Sequence, residues 1–152
     1  MRLESLREQT PFLAGLSDQA IGLLEPVTAD AGFAAGELIF EEDGPADTFY
    51  VITSGKVALE IELPSRGTSV VETLGPGSLL GVSWPFPPAR WNWRARAVDT
   101  TSAIAFDASA VRGLCVANQE LGAHVYRSVA AEAVRRLHAT RIRLLDLYGS
   151  ER

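Results

Sequence analysis

Phe49-Tyr50-Val51-Ile52-Thr53-Ser54-Gly55-Lys56-Val57 is the stretch on which the reading of this chain turns. Aromatic and β-branched side chains run from Phe49 to Thr53 and predict a strand. Ser54-Gly55-Lys56 then signals a tight hairpin. Past the turn, Val57, Leu59, Ile61 and Leu63 alternate with Ala58, Glu60 and Glu62, the pattern of a strand with one buried face. Upstream, Leu38-Ile39-Phe40 and residues 27–34 are further strand candidates, separated from their neighbours by Gly36 and by the acidic turn Glu41-Glu42-Asp43-Gly44-Pro45. Gly36, Gly44 and Gly55 fall where chain reversals need positive φ. Downstream, residues 69–74, 91–98 and 101–106 read as strands. Strands recurring every ~8–12 residues between Gly and Pro signals argue for a sandwich or barrel.

Helical patterns flank this region. Leu3 and Leu6 open the chain, and Pro11 breaks that pattern. Ser17 is placed to cap a helix carrying Ile21, Leu23 and Leu24, which Pro26 ends. Residues 108–116 predict a short helix, with Asp107 or Ser109 near its start. Asn118 is placed to cap a long helix running to about Tyr148. Leu121 and Val125 face the strands. Ala130, Val134, Leu137, Arg141, Leu144 and Tyr148 are spaced as a heptad seam. A helix of about 30 residues spans roughly 45 Å, more than a domain this size covers. Its distal half is therefore expected to pair with a second copy, giving a homodimer. The chain divides into residues 1–117, a β-roll with N-terminal helices, and 118–152, the long helix. The expected class is mainly β with flanking helices: an eight-strand jelly-roll barrel (double-stranded β-helix), short N-terminal helices, then one short helix and one long dimerisation helix.

With 152 residues, 47% hydrophobic and 22% charged, the chain suits one globular domain with a real core. It has no apolar run long enough to span a membrane and no apolar signal core near Met1. A single cysteine, Cys115, excludes an internal disulfide framework, so a reducing cytoplasm is the expected location. Residues 1–110 carry 7 basic against 15 acidic side chains, and residues 111–152 carry 7 against 4. An acidic body with a mildly basic tail does not suit a dedicated nucleic-acid binder.

The candidate site is Gly75-Pro76-Gly77-Ser78-Leu79-Leu80-Gly81-Val82-Ser83-Trp84, followed by Pro85-Phe86-Pro87-Pro88-Ala89-Arg90-Trp91. A Gly-containing turn leads into one expected short helical turn, with an arginine a few residues on. Backbone N–H groups can hold an anion there while a guanidinium neutralises it. The candidate ligand-binding residues are Leu80, Gly81, Val82, Ser83, Trp84, Arg90 and Trp91.

Over nearly its full length the chain resembles the cyclic nucleotide-binding domain of the CRP/FNR superfamily. Pro11-Phe12-Leu13-Ala14-Gly15-Leu16-Ser17-Asp18 is similar to the family's entry segment. Gly36-Glu37-Leu38-Ile39-Phe40-Glu41-Glu42-Asp43-Gly44-Pro45-Ala46-Asp47 is similar to its G-E-x-I-F-x-E-G-D-x-A-D hairpin, and Phe49 to Val57 to its F-Y-x-I-x-S-G-x-V strand pair. The family's cassette reads G-E-x-F-G-E-x-A-L, followed by R-[ST]-A. There the glutamate holds the ribose 2′-hydroxyl, the arginine and backbone amides hold the cyclic phosphate, and the long helix covers the base. Carried over, Gly77 and Gly81 match the glycines, Val82 replaces the glutamate, and Ser83 and Trp84 supply the amides. Counting back from Arg96-Ala97 puts Trp91 at the arginine's position. Arg90 fits with a one-residue insertion that the Pro87-Pro88 loop can absorb, and Arg90 is taken as the arginine. The cluster Trp84, Phe86, Trp91 and Trp93 is similar to a smaller group of free-standing domains with W-[SN]-x-[FW] in this loop.

The resemblance implies cyclic AMP or cyclic GMP as ligand and a regulatory, ligand-sensing role. Val82 cannot accept the ribose hydroxyl, a loss of roughly 1–3 kcal/mol or about 10- to 150-fold in affinity. Ser83 can partly stand in. Weakened or altered specificity is therefore expected. Other readings stay open. Trp91, Trp93, Ala95 and Ala97 share one strand face, which suits tryptophans filling the pocket of a ligand-free structural or interaction domain. The same tryptophans beside an arginine also suit another flat ligand. The chain also reads as the N-terminal part of a CRP/FNR-type transcription regulator.

No enzyme chemistry is expected. A metal site needs convergent histidines and carboxylates, but His124 and His138 both lie on the last helix, read as solvated. Cys115, between Leu114 and Val116, reads as a buried small hydrophobe. No helix-turn-helix is expected within these 152 residues, and Arg135, Arg136, Arg141 and Arg143 offer few phosphate contacts. Nucleic acid and membrane are not expected as partners, whereas a protein partner remains open.

Overall fold

The computed structural model describes residues 2–149, with side chains over 3–146. Helices α1 (Arg2–Leu6) and α2 (Asp18–Leu24) come first. The Ser17 side chain caps α2 by accepting from the Ala20 N–H. Strands follow: β1 (Thr28–Phe33), β2 (Leu38–Phe40), β3 (Thr48–Ser54), β4 (Val57–Leu63), β5 (Gly67–Leu74), β6 (Leu79–Leu80), β7 (Arg94–Ala97) and β8 (Thr101–Asp107). Helices α3 (Ala108–Ala117) and α4 (Gln119–Gly149) close the chain. Among the described residues the strands form two four-stranded antiparallel sheets, ordered β1-β8-β3-β6 and β2-β7-β4-β5. This is the expected jelly roll with flanking helices.

The β3–β4 hairpin behaves as its sequence dictates. Gly55 has φ +90°, and a Cβ there would lie 2.5 Å from the Thr100 carbonyl oxygen. No other residue fits that turn. The turn before β3 differs: Asp43, not Gly44, takes the left-handed conformation, at φ 65°. Aspartate tolerates this region because its short polar side chain hydrogen-bonds locally.

β3 serves two cores from its two faces. Phe49 and Val51 join Phe12, Leu13, Phe106, Val111, Val125 and Val129 in the cluster under the helices. Ile52 joins Val57, Leu59, Leu74, Leu80 and Ala95 between the sheets. β7 starts later than the sequence suggests. Its ladder with β4 runs only from Arg94 opposite Glu60 to Ala97 opposite Val57, leaving Trp91, Asn92 and Trp93 outside any ladder. Within β7 the alternation holds: Ala95 and Ala97 are buried, while Arg94 and Arg96 reach Glu60 at 2.9 and 3.5 Å.

Asn118 caps α4 by accepting from the Leu121 N–H at 2.9 Å. One face of α4 buries Leu121, Val125, Val129 and Arg136. The opposite face leaves Val134, Leu137 and Leu145 between 62% and 69% exposed, with Arg141 on the same stripe. Leu144 is half-buried, and the side chain of Tyr148 lies outside the described residues. No helix among the described residues is long and apolar enough to cross a membrane.

Candidate functional site

β6 pairs with Tyr50 and Val51 of β3, which fixes buried Leu80 and places Gly81 directly after it. Gly81 has φ +111°, and a Cβ there would lie 2.6 Å from the indole ring of Trp91. Glycine answers two needs here: a left-handed backbone and close approach of a ring. Val82 is buried in the cluster under the helices.

The expected helical turn does not form. The chain makes two successive turns instead: the Phe86 N–H donates to the Ser83 carbonyl (3.3 Å) and the Ala89 N–H to the Phe86 carbonyl (2.8 Å). Pro85 has no N–H to extend a helical ladder. Trp84 is fully buried and stacks on Phe49, with centroids 4.0 Å apart and planes 3° apart. Its carbonyl accepts from Arg112 Nη1 at 2.8 Å. Ser83 Oγ and Trp84 Nε1 are buried without a hydrogen-bond partner among the described residues.

Arg90 and Trp91 point different ways. Arg90 is exposed, and its Nη1 donates to the Asp43 carbonyl at 2.9 Å. Trp91 is 3% exposed and stacks on Phe40, with centroids 4.2 Å apart. Its backbone is pinned from both sides: the Trp91 N–H donates to the Gly44 carbonyl (2.9 Å), and the Asp43 N–H to the Trp91 carbonyl (2.7 Å). The structure thus brings Gly81, Val82, Trp84 and Trp91 together, turns Leu80 into the other cluster between the sheets, and leaves Arg90 outside.

The cation that does reach this region comes from α4. Arg136 is 1% exposed; its Nη2 donates to the Leu79 carbonyl, and its Nε to Glu132 at 3.0 Å. Arg136 Nη1 has no partner among the described residues. Burial pushes the Arg136 guanidinium below its ordinary pKa, with Glu132 and Glu72 opposing. Arg135 bridges Glu132 (2.6 Å) and Glu72 (2.7 Å), and these hydrogen bonds raise its pKa. The sequence reading assigned Arg136 only to weak phosphate contacts. Its burial had a signal: Val129 plus seven residues continues the inward stripe to Arg136.

A cavity of about 420 Å³ lies beside this network, lined by Thr10, Glu72, Ser78, Ser128 and Arg135 among others. A hollow of about 240 Å³ lies under residues 85–89, against Trp84 and Arg112. Val82, Ser83 and Arg90 line neither. His124 is half-buried, with Nε2 2.9 Å from the Phe12 carbonyl, and is not the solvated side chain expected; His138 is exposed. Cys115 is 7% exposed, and burial pushes its thiol up to about 11. Among the described residues no three His, Cys, Asp or Glu side chains cluster to hold a metal.

The family model for the cyclic nucleotide-binding domain matches residues 32–118. The chain is 26% identical over 145 residues to the CRP-like cAMP-activated global transcriptional regulator of Mycobacterium tuberculosis. That match covers 95% of this chain and 63% of the relative, so the chain spans less than two thirds of the curated protein's length. Among solved structures, a Geobacter metallireducens protein assigned to cyclic nucleotide binding superposes with a TM-score of 0.80 at 28% identity, covering 91% of this chain and 99% of that one. The N-terminal domain of a Streptomyces coelicolor transcriptional regulator gives 0.70 at 26%, covering 92% and 95%. The Thermus thermophilus catabolite activator protein gives 0.72 at 25%, covering 92% and 63%. With transcriptional regulators among these relatives, the expectation that nucleic acid is no partner finds no support.

Proposed function

The chain belongs to the cyclic nucleotide-binding domain family, and from that membership we propose a dimeric regulatory module with weakened or altered ligand specificity. The observation that carries this reading is Trp91 packed against Gly81 and Phe40. A cyclic AMP or cyclic GMP molecule docked against the cassette in the family manner has to displace that ring. It then meets Val82, which offers no acceptor, and Arg136, the buried cation with a free N–H. Arg90 would have to leave Asp43 to take part. Ligand entry is read out through α4, which touches the cassette's strand at the Leu79 carbonyl and β5 at Glu72. The exposed stripe of Val134, Leu137, Arg141 and Leu145 carries that change to a second copy, with half-buried Leu144 beside it.

A second reading has its own support. Trp84 on Phe49 and Trp91 on Phe40 fill the space with well-packed aromatic pairs. On that reading the domain dimerises or docks to a protein partner without ligand. In either case the chain can serve as the N-terminal, cytoplasmic part of a CRP/FNR-type transcription regulator, since it spans 63% of such a relative.

Calorimetry with cyclic AMP, cyclic GMP and a cyclic dinucleotide separates the two. Heat or a melting shift at millimolar ligand supports the sensing module. No response from the wild type or from Trp91→Ala selects the ligand-free domain.

A further inference from the structure

Arg112 is a half-buried cation without a counter-ion. Its one polar contact among the described residues runs from Nη1 to the Trp84 carbonyl at 2.8 Å, which leaves its other N–H groups unused. Positions three and four away along α3 hold Ala108, Ser109, Cys115 and Val116, and none carries a carboxylate. Arg112 lines the hollow of about 240 Å³ together with residues 84–89. The rest of that wall is apolar: Phe86, 52% exposed, stands among Pro85, Pro87 and Pro88. Trp84 belongs to the same wall. It is fully buried, and its Nε1 has no acceptor among the described residues. A buried donor left unpaired is costly, and native interiors pair nearly all of them.

We propose that this hollow is a binding site for a small monocarboxylate with a flat apolar body. The carboxylate pairs with Arg112 and supplies the acceptor that the Trp84 indole lacks, while the body lies against Phe86 and the prolines. Three features set that class. A planar guanidinium matches a carboxylate through paired N–H bonds, and a single unpaired cation is balanced by a single negative charge. Apolar walls gain affinity from burying the body, and the one charge fixes its orientation. The volume lies below the roughly 300–1,000 Å³ of drug-sized sites, so it suits one ring with a short substituent. The site is separate from the space beside Gly81, since neither Trp91 nor Phe40 lines it. A bound acid reinforces the tie between α3 and the cassette that Arg112 already makes through the Trp84 carbonyl.

The test is calorimetric titration of the full chain with benzoate as the probe, beside benzyl alcohol, which keeps the ring, and acetate, which keeps the charge. Wild type is expected to bind benzoate saturably, and the other two about tenfold more weakly or worse. Arg112→Gln should weaken benzoate about 10- to 150-fold, the scale of a charge-assisted contact, and leave benzyl alcohol unchanged. Phe86→Ala, at an exposed position, should weaken benzoate and benzyl alcohol alike. Circular dichroism checks that each variant folds; where Arg112→Gln does not, Phe86→Ala and the three probes decide. No saturable benzoate binding by wild type overturns the site. Benzyl alcohol binding as tightly as benzoate overturns the carboxylate pairing. Benzoate affinity unchanged in Phe86→Ala puts the acid elsewhere and overturns the proposal as well.

Discussion

The rings of Trp91 and Phe40 lie within 16° of parallel, with centroids 4.2 Å apart. The contact ties β2 to the segment entering β7 and closes the space beside Gly81. Trp91→Ala should cost about 3–5 kcal/mol in urea unfolding, because it empties a buried site. Gly81→Ala forces a Cβ into that ring and should cost several kcal/mol, through overpacking of about 1–3 and an unfavourable backbone of about 1–2. In the Trp91→Ala background most of the overpacking part disappears, leaving only the 3.2 Å approach to the Phe49 Cβ. Equal costs in both backgrounds would refute the contact.

Restoring the family's pair of ligand contacts tests the site from the opposite side. Val82→Glu with Trp91→Arg should raise cyclic AMP affinity about 10- to 150-fold over wild type, measured by calorimetry. Neither single change should achieve this alone, since each leaves one partner missing. A double variant that folds and binds no better than wild type argues against Gly81 marking a nucleotide pocket.

The two faces of α4 should respond oppositely to charge. Leu137→Asp and Val134→Asp sit on the exposed stripe, so monomer stability should change by about 0.5 kcal/mol or less while dimer is lost in sedimentation. Val129→Asp buries an unpaired carboxylate and should unfold the roll or cost several kcal/mol. Leu137→Asp remaining dimeric refutes the seam.

Arg136 gives an asymmetric pair of outcomes. Glu132→Gln removes the carboxylate that compensates a buried cation and should cost about 3–5 kcal/mol. Arg136→Met replaces the cation by a flexible apolar chain and should stay within about 1–2 kcal/mol of wild type. Thermal unfolding of the two variants at one pH decides the matter. Arg136→Met as the more damaged variant would show that its bond to the Leu79 carbonyl outweighs its burial cost.

Cys115 predicts a loss of stability in alkali. Burial raises its folded-state pKa from 9.0 to about 11. The folded thiol therefore keeps its proton where the unfolded one gives it up. Its contribution is complete below pH 9.0 and is lost as pH rises to about 11. The span corresponds to about 2–3 kcal/mol. Unfolding free energies of wild type and Cys115→Ala should converge or cross over that window, and curves that stay parallel contradict the burial. Alkylation at pH 8 should require denaturant.

Much of the fold was legible because local chemistry and tertiary demand agree. Residues 49–57 carry strand propensity, a turn glycine and alternation in one line, and β3 and β4 formed there. The capping roles of Ser17 and Asn118 held for the same reason: each supplies an oxygen to an otherwise unpaired N–H. The cassette was less legible. Whether Arg90 or Trp91 turns inward depends on a loop of prolines whose path is set by main-chain bonds from Gly44 and Asp43, about fifty residues upstream by sequence. Arg136 is hard to read from sequence because arginine on a basic tail ordinarily sits in solvent, although its position continues an inward stripe.

The buried fastening of α4 at Arg136 makes the helix a lever, with the exposed bond from Arg143 Nε to the Val70 carbonyl (3.2 Å) as a further tie that opens when its end swings. About 13 residues extend beyond that point, roughly 20 Å of rod. A tilt of about 10° at the fulcrum swings the free end by about 3 Å, over half a helical turn's pitch. A rearrangement too small to see at Leu79 therefore becomes a displacement of side-chain size at the tip, where two such rods would either mesh or miss.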